Sequence, residues 1–456
     1  MNKIEIFAAA LTALAALFSA GAQTLKMEPQ VVGVTTYEAS TAVNLVVVKP
    51  EIRLVNPDPS VLTVNTNGTE RNVLSAYPSD SRGAFDPDGE YLALGLEKAS
   101  GRGLGLAKGS GVWRDEYSVK VGLKKGKVLK VGKQKYTAIE CETDKALKDF
   151  LSEADFFNKG TFTGKATGKV GDITLTYASY EPWSLKGDGK ANPLIIWLHG
   201  GGEGGIDVSI TLLGHEVVSL IRPQIQSHFT TEGGADGAYV LSVQCPTMWM
   251  DSVTGAMSRG DYPSLYADVL KSCIDDFVRQ HPDVDRSRIY LGGCSNGGYM
   301  TVHMLIRYPK YFAAAYPTCE AYMNQYISDN EINVLAEENI WIVQSYDDTT
   351  VDPKTHCIPM FQRLMKAGAK NVWMSMFENV QGIDNPGQKL LGHFSWCYLF
   401  NDAVTMSQEQ SDGDVKPSND GGGSVAPQGH ANIFEWMNAQ VLTEPEAPQR
   451  ENGRRR

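Results

Sequence analysis

At 456 residues the chain is longer than one ordinary domain and long enough to bury a large core, so two domains are expected. A hydrophobic fraction of 42%, a charged fraction of 21% and a net charge of −11 describe an acidic globular protein and exclude the basic excess of a nucleic-acid binder. Seven cysteines are too few for a disulfide scaffold, and their odd number leaves at least one unpaired within a monomer. The sequence has no CxxC or HExxH, and its eight histidines show no ligand spacing, so neither a metal nor a cofactor is expected.

The chain opens on Lys3, an apolar run from Ile6 to Phe18 and the small-residue end Ala20-Gly21-Ala22. That pattern predicts a signal peptide over 1–22 and an exported mature chain, secreted or periplasmic, with an uncleaved anchor as the rival reading. No later segment approaches the roughly 18 apolar residues of a spanning helix, so no membrane span is expected in the mature chain. From 24 to 157, runs such as "TAVNLVVVKP", "EYLALGLEKA" and "EYSVKVGLKK" alternate with period 2 between Gly-, Pro- and Asn-rich turns. They read as strands of a small β-sandwich domain. One helical piece, "TDKALKDFLSEADFF", is expected to close it.

Past the Gly-rich joint "NKGTFTGKATGK", near-continuous apolar strands alternate with longer helical patterns. "PLIIWLHG", "AYVLSVQCP", "RIYLGG", "IWIVQSY" and "VWMSMFE" are strands, and Leu265, Val269, Leu270, Cys273 and Phe277 form one stripe of a helix. Residues 160–445 are therefore expected to form an α/β domain, a mostly parallel sheet covered on both faces. The polar stretch 406–429 reads as a mobile insertion before a last helix, "ANIFEWMNAQVL", and 446–456 as a disordered tail.

Gly293-Cys294-Ser295-Asn296-Gly297 matches G-x-S-x-G between a strand and a helix, the context that exposes a nucleophilic serine at the carboxyl edge of a sheet. A serine needs a base, and the base an orienting acid. In sheets of this type they follow in the order Ser, Asp or Glu, His. The acid is expected in "SYDDTTVDP" as Asp348, with Asp347 the rival; both also suit an Asp-rich turn. The base is expected at His393 in "LLGHFSW", with His430 as the alternative, whereas His199 and His356 fit the order poorly. Glycines after "PLIIWLH" bring backbone N–H groups close to a substrate oxygen, so Gly201, with Gly202 next, and the N–H of Asn296 are the candidate oxyanion donors. The competing reading, a phosphate cradle, lacks the GKS/GKT ending of a P-loop.

The glycine run after "IIWLHG", the "GCSNGGYM" elbow, the Asp348 loop and "GHFSW" together resemble the α/β-hydrolase superfamily. Within it they are similar to secreted bacterial esterases of the polyhydroxybutyrate-depolymerase and prolyl-oligopeptidase-like group. Some of those carry an immunoglobulin-like domain ahead of the hydrolase domain, and the resemblance implies such a domain at 24–157. It also implies a serine hydrolase, with a carboxylic ester as the partner molecule and feruloyl or acetyl esters of plant cell-wall polysaccharide as the expected class. Trp249, Glu320 and Trp396 are the expected substrate-lining residues, although each is also a common core residue. The Asp loop departs from the family's Val-Pro ending, because Asp352 follows Val351. Cysteine bridges beside the serine and histidine in related esterases raise the question of Cys294, for which Cys397 and Cys319 are candidate partners. A prolyl-oligopeptidase-like peptidase and a non-catalytic polymer-binding protein are the alternative functions.

Overall fold

The computed structural model describes residues 23–38, 40–98, 117–143, 150–168 and 171–443. The segments expected to be a signal peptide and a C-terminal tail lie outside the described residues. The fold divides into two compact units, the first holding the described residues of 23–35, 42–98 and 117–152, the second 36–41 and everything from 153.

The first unit is built from two sheets, one of seven strands and one of four. Leu62–Thr66 shows why its residues form strands: Leu62, Val64 and Thr66 point inward and Thr63 and Asn65 outward. Val32, Val46 and Leu94 of the larger sheet share one core with Leu62, Val64 and Val121 of the smaller. The long first strand, Gln23–Tyr37, pairs in parallel first with Gln134–Glu140 and then, through Val32–Val34, with Phe150–Ser152. This second pairing corrects the helix expected over 143–157 in its described part from Phe150; residues 144–149 lie outside the described residues. Phe150–Ser152 is a strand and Glu153–Phe156 a 3-10 turn, because partner strand and core capture Phe150 against its local helical pattern.

In the second unit eight strands form one sheet: β1 Asn158–Lys165, β2 Asp172–Tyr180, β3 Asn192–Leu198, β4 Tyr239–Gln244, β5 Val284–Cys294, β6 Ala314–Thr318, β7 Ile340–Ser345 and β8 Val372–Phe377. Their spatial order is β1-β2-β4-β3-β5-β6-β7-β8; β2 runs antiparallel to its neighbours, and the pairings from β4 to β8 are parallel. Every residue of β3, β4, β6, β7 and β8 is buried, the signature of a sheet covered on both faces. On one face α1 (Ala267–Gln280) and α2 (Asn296–Arg307) pack Val269, Ile274, Met300 and Met304 into a core with Leu194, Ile196 and Leu198. Removing each such side chain from water contributes about 1.5–3 kcal/mol. On the other face Trp197 meets Phe400 at 4.8 Å, and Trp341 meets Trp436 of α3 (Ile433–Asn438) at 5.5 Å.

The stretch read as a mobile insertion is instead bound to the sheet. The N–H of Met376 donates to Gly422 O at 2.7 Å, and Gln408 N and Ser418 N donate to the carbonyls of Met374 and Met376. Ser407 Oγ accepts from Met374 N at 3.0 Å, and Met406 and Ser407 bond in turn to Gly421 and Val425. A Gly-rich polar strip thus covers the outer edge of β8, where no ninth strand follows.

Candidate active site

Ser295 sits between β5 and α2 with φ 55° and ψ −112°, a strained conformation for a residue with a side chain. Its N–H donates to Thr318 O at the end of β6, and its carbonyl accepts from Tyr299 and Ala321. The surrounding glycines are required by close approach. A Cβ on Gly297 would lie 2.0 Å from Leu198 O, and one on Gly293 2.6 Å from the same carbonyl. The elbow is therefore pressed onto the carboxyl end of β3, and Ser295 alone of the Gly293–Gly297 turn is not buried.

Past β7, Asp348 is buried and accepts from the N–H groups of Thr350 and Val351 through Oδ1. Its Oδ2 lies 2.8 Å from Nδ1 of His393, which stands on the short 3-10 turn Gly392–Phe394. Gly392 makes that approach possible, since a Cβ there would fall 2.7 Å from the backbone of Asp347. Bonding Nδ1–H to the carboxylate leaves the lone pair of His393 on Nε2. Asp347 instead accepts from Ser345 Oγ and pairs with Lys389 at 2.8 Å. His430 caps the turn Pro427–Gly429 and has no carboxylate partner among the described residues.

Two chains of contact join the histidine loop to the elbow. Cys294 Sγ lies 3.7 Å from His215 Nδ1, the His215 ring packs tilted against Trp396 at 4.3 Å, and Trp396 meets His393 edge-on at 5.6 Å. The buried Cys319 thiol neighbours both the Ser295 backbone and Ser395, and burial pushes it well above the usual thiol range. All seven cysteines are free thiols, Cys294 among them.

Gly201 is exposed just beyond β3, where a Cβ would meet nothing nearer than Met248 Cε at 3.6 Å. Asn296 opens α2, so its N–H has no carbonyl one turn back to bond within the helix. Its side-chain Oδ1 accepts from Met250 N at 3.0 Å and ties the elbow to the segment after β4. His199, set aside as a base by its place in the chain, has another task. Nδ1 bonds Gly200 O at 2.8 Å and Nε2 accepts from Cys245 N at 3.2 Å, and complete burial lowers its pKa. It fixes the glycine loop to the end of β4.

The three residues expected to line a substrate pocket are buried and correct that reading. Trp249 packs at 5.2 Å on His199 and 5.7 Å on Tyr266, with no exposed surface. Glu320 lies beneath the elbow, accepting from Tyr322 N, and burial pushes its carboxyl well above the ordinary carboxylate range. Trp396 supports His393 from behind. Exposed apolar residues in the loops that carry Asp348 and His393 are Tyr346 and Leu391.

The sequence reading also missed Glu203 and His215. Glu203, a lone charge inside the run "HGGGEGG", is buried and accepts from Gly200 N at 2.9 Å and pairs with His215 Nδ1 at 2.7 Å. Its position in a glycine run was the available signal; nothing in sequence marks His215.

The prolyl oligopeptidase family model matches residues 249–325, a stretch that holds α1, β5, the elbow, α2 and β6. No curated protein matches the chain by sequence. The structure is similar to that of a thermostable esterase, with 18% identity and a TM-score of 0.61 over 83% of this chain and 96% of that one. A ferulic acid esterase (14% identity, TM-score 0.35, 48% and 89% covered) and an acylaminoacyl peptidase of Pyrococcus horikoshii (14%, 0.34, 74% and 65%) align more distantly. The likeness to the thermostable esterase reaches beyond what the second unit can supply alone. With the strand order above, it gives the second unit an α/β-hydrolase fold.

Proposed function

We propose that the chain is a serine hydrolase that cleaves carboxylic esters through an acyl-enzyme. The observation that carries this reading is the buried contact of His393 Nδ1 with Asp348 Oδ2 at 2.8 Å, behind a serine held in a strained elbow. In the mechanism, His393 Nε2 takes the Ser295 hydroxyl proton as Oγ attacks the ester carbonyl. The N–H groups of Gly201 and Asn296 hold the oxyanion, and His393 then protonates the departing alcohol. Water repeats the attack and frees the acid. Asp348 holds the ring through Nδ1 and balances the imidazolium.

Within esters, feruloyl or acetyl esters of plant polysaccharide are the proposed substrates, supported by the exposed apolar residues Tyr346 and Leu391 in the loops that carry Asp348 and His393. The paired sheets of the first unit support an immunoglobulin-like sandwich, and the N-terminal sequence supports export. No described helix is long and apolar enough to cross a membrane. A peptidase is the second reading, favoured by the family match over 249–325.

A fluorophosphonate probe together with p-nitrophenyl, feruloyl and prolyl-amide substrates tests these readings. Labelling of wild type but not of Ser295→Ala, with ester turnover lost in that variant, is expected. Faster cleavage of the amides would favour the peptidase, and an unlabelled wild-type chain would overturn the hydrolase reading.

A further inference from the structure

Behind the candidate site, three side chains far apart in sequence converge. A carboxylate oxygen of Glu203, a ring nitrogen of His215 and Sγ of Cys294 all lie within 4.8 Å of one another, the only such grouping of three metal-ligating side chains among the described residues. They come from the glycine loop, from the turn before Val217–Ile221, and from the last residue of β5. Glu203 and Cys294 are buried, while His215 keeps 17% of its side chain exposed, an entry path from solvent.

Two further observations point to a ligand. Glu203 Oε1 is buried with no hydrogen-bond partner, although Oε2 is fully used. An acceptor left unsatisfied in the interior carries a substantial desolvation cost that a cation would remove. The local glycines also keep the space clear: a Cβ on Gly214 would lie 2.5 Å from Glu203 Oε1, and one on Gly200 3.1 Å from Cys294 Sγ. His199 is not a fourth ligand, because both its nitrogens are bonded to backbone.

We propose that Glu203, His215 and Cys294 form a binding site for a divalent transition-metal ion of the Zn²⁺ class. One carboxylate, one imidazole and one thiolate are the donors this borderline-soft ion takes, with a fourth position left for water. Bonds of about 2.0–2.3 Å place tetrahedral ligands roughly 3.3–3.8 Å apart. The sulfur and ring nitrogen, at 3.7 Å, have that separation already, whereas the carboxylate and ring, at 2.7 Å, must part by about 0.6 Å. Binding releases the Cys294 proton to solvent, and the His215 ring keeps one proton, on Nε2, so that Nδ1 faces the ion. The ion would tie the glycine loop to the residue before Ser295.

Co²⁺, whose spectrum reports its ligands, is the probe, added to the chelator-treated full chain at neutral pH. One equivalent is expected to give a thiolate-to-metal charge-transfer band that excess Zn²⁺ abolishes. The band should vanish in Cys294→Ser and need at least tenfold more Co²⁺ in His215→Gln, the more exposed and structurally milder change. Zn²⁺ should raise the Tm of wild type and leave that of His215→Gln unmoved. A folded wild-type chain with neither band nor Tm shift overturns the proposal, as does a band that persists in Cys294→Ser. None of these readouts uses catalysis, so the proposal stands or falls apart from the hydrolase reading.

Discussion

Asp348 and His393 stand 45 residues apart in sequence and 2.8 Å apart in space, with both side chains buried. Asp347, the adjacent carboxylate, faces Lys389 and Ser345 instead. The two acids separate cleanly by experiment. Asp348→Asn should lower kcat on a p-nitrophenyl ester by about 10³–10⁴-fold, through loss of the productive ring tautomer. Asp347→Asn should stay within about tenfold of wild type, since it loses only a half-exposed ion pair. The reverse ranking would refute the assignment of the acid.

The elbow's glycines make a stability prediction. In Gly297→Ala the new methyl overlaps two backbone carbonyls, of Leu198 and His199, which cannot rotate away. A loss of at least about 3 kcal/mol, or no soluble protein, is expected. Gly413→Ala serves as control, because a Cβ there meets only Ser411 Oγ at 3.5 Å, and its urea midpoint should match wild type.

His303 supplies a pH dependence. On α2 its ring stacks on Tyr299 and Tyr322, and burial lowers its pKa to about 4. The unfolded chain, with an ordinary histidine near 6.5, binds more protons than the folded one between those values. Stability from this group is therefore complete above about pH 6.5 and falls as the pH drops toward 4, by up to about 3 kcal/mol. Urea unfolding of His303→Gln across pH 4–7 should show a shallower acid-side decline than wild type. Parallel slopes would count against a buried neutral ring.

The strip over β8 is testable through Ser407. Its hydroxyl is the acceptor for the buried N–H of Met374, so Ser407→Ala leaves that donor unpaired at a cost of about 1–3 kcal/mol. Hydrogen exchange should quicken at Met374 more than at Ile342, which lies in the neighbouring β7. Unchanged exchange at Met374 would mean the strip does not hold this edge.

Where one local pattern determined structure, the sequence was informative. The α/β alternation, the strand before Ser295 and the helix after it follow from hydrophobic period and glycine spacing. Three features depend on contacts between distant residues and were not legible. Phe150–Ser152 becomes a strand because Val32–Val34 is there to pair with it. The polar strip is ordered by the unused N–H and C=O groups of β8, which no reading of 406–429 alone contains. Trp249 and Trp396 sit close to the site in sequence and in space, yet their side chains turn toward His199 and His215, so proximity misrepresented their exposure. The expectation of no metal rested on linear spacing, which the cluster proposed above, drawn from residues 203, 215 and 294, does not have.

The covering of β8 bears on how the protein survives its own hydrophobicity. Val-Trp-Met-Ser-Met-Phe is six residues without charge, proline or glycine, a composition suited to stacking into cross-β fibres. At the end of a sheet such a segment is a template for the next molecule. By laying Gly-, Asn- and Asp-rich chain along it, the protein keeps this self-adhesive strand away from its neighbours, and a cut within 406–425 would turn an intact molecule into a seed for aggregation.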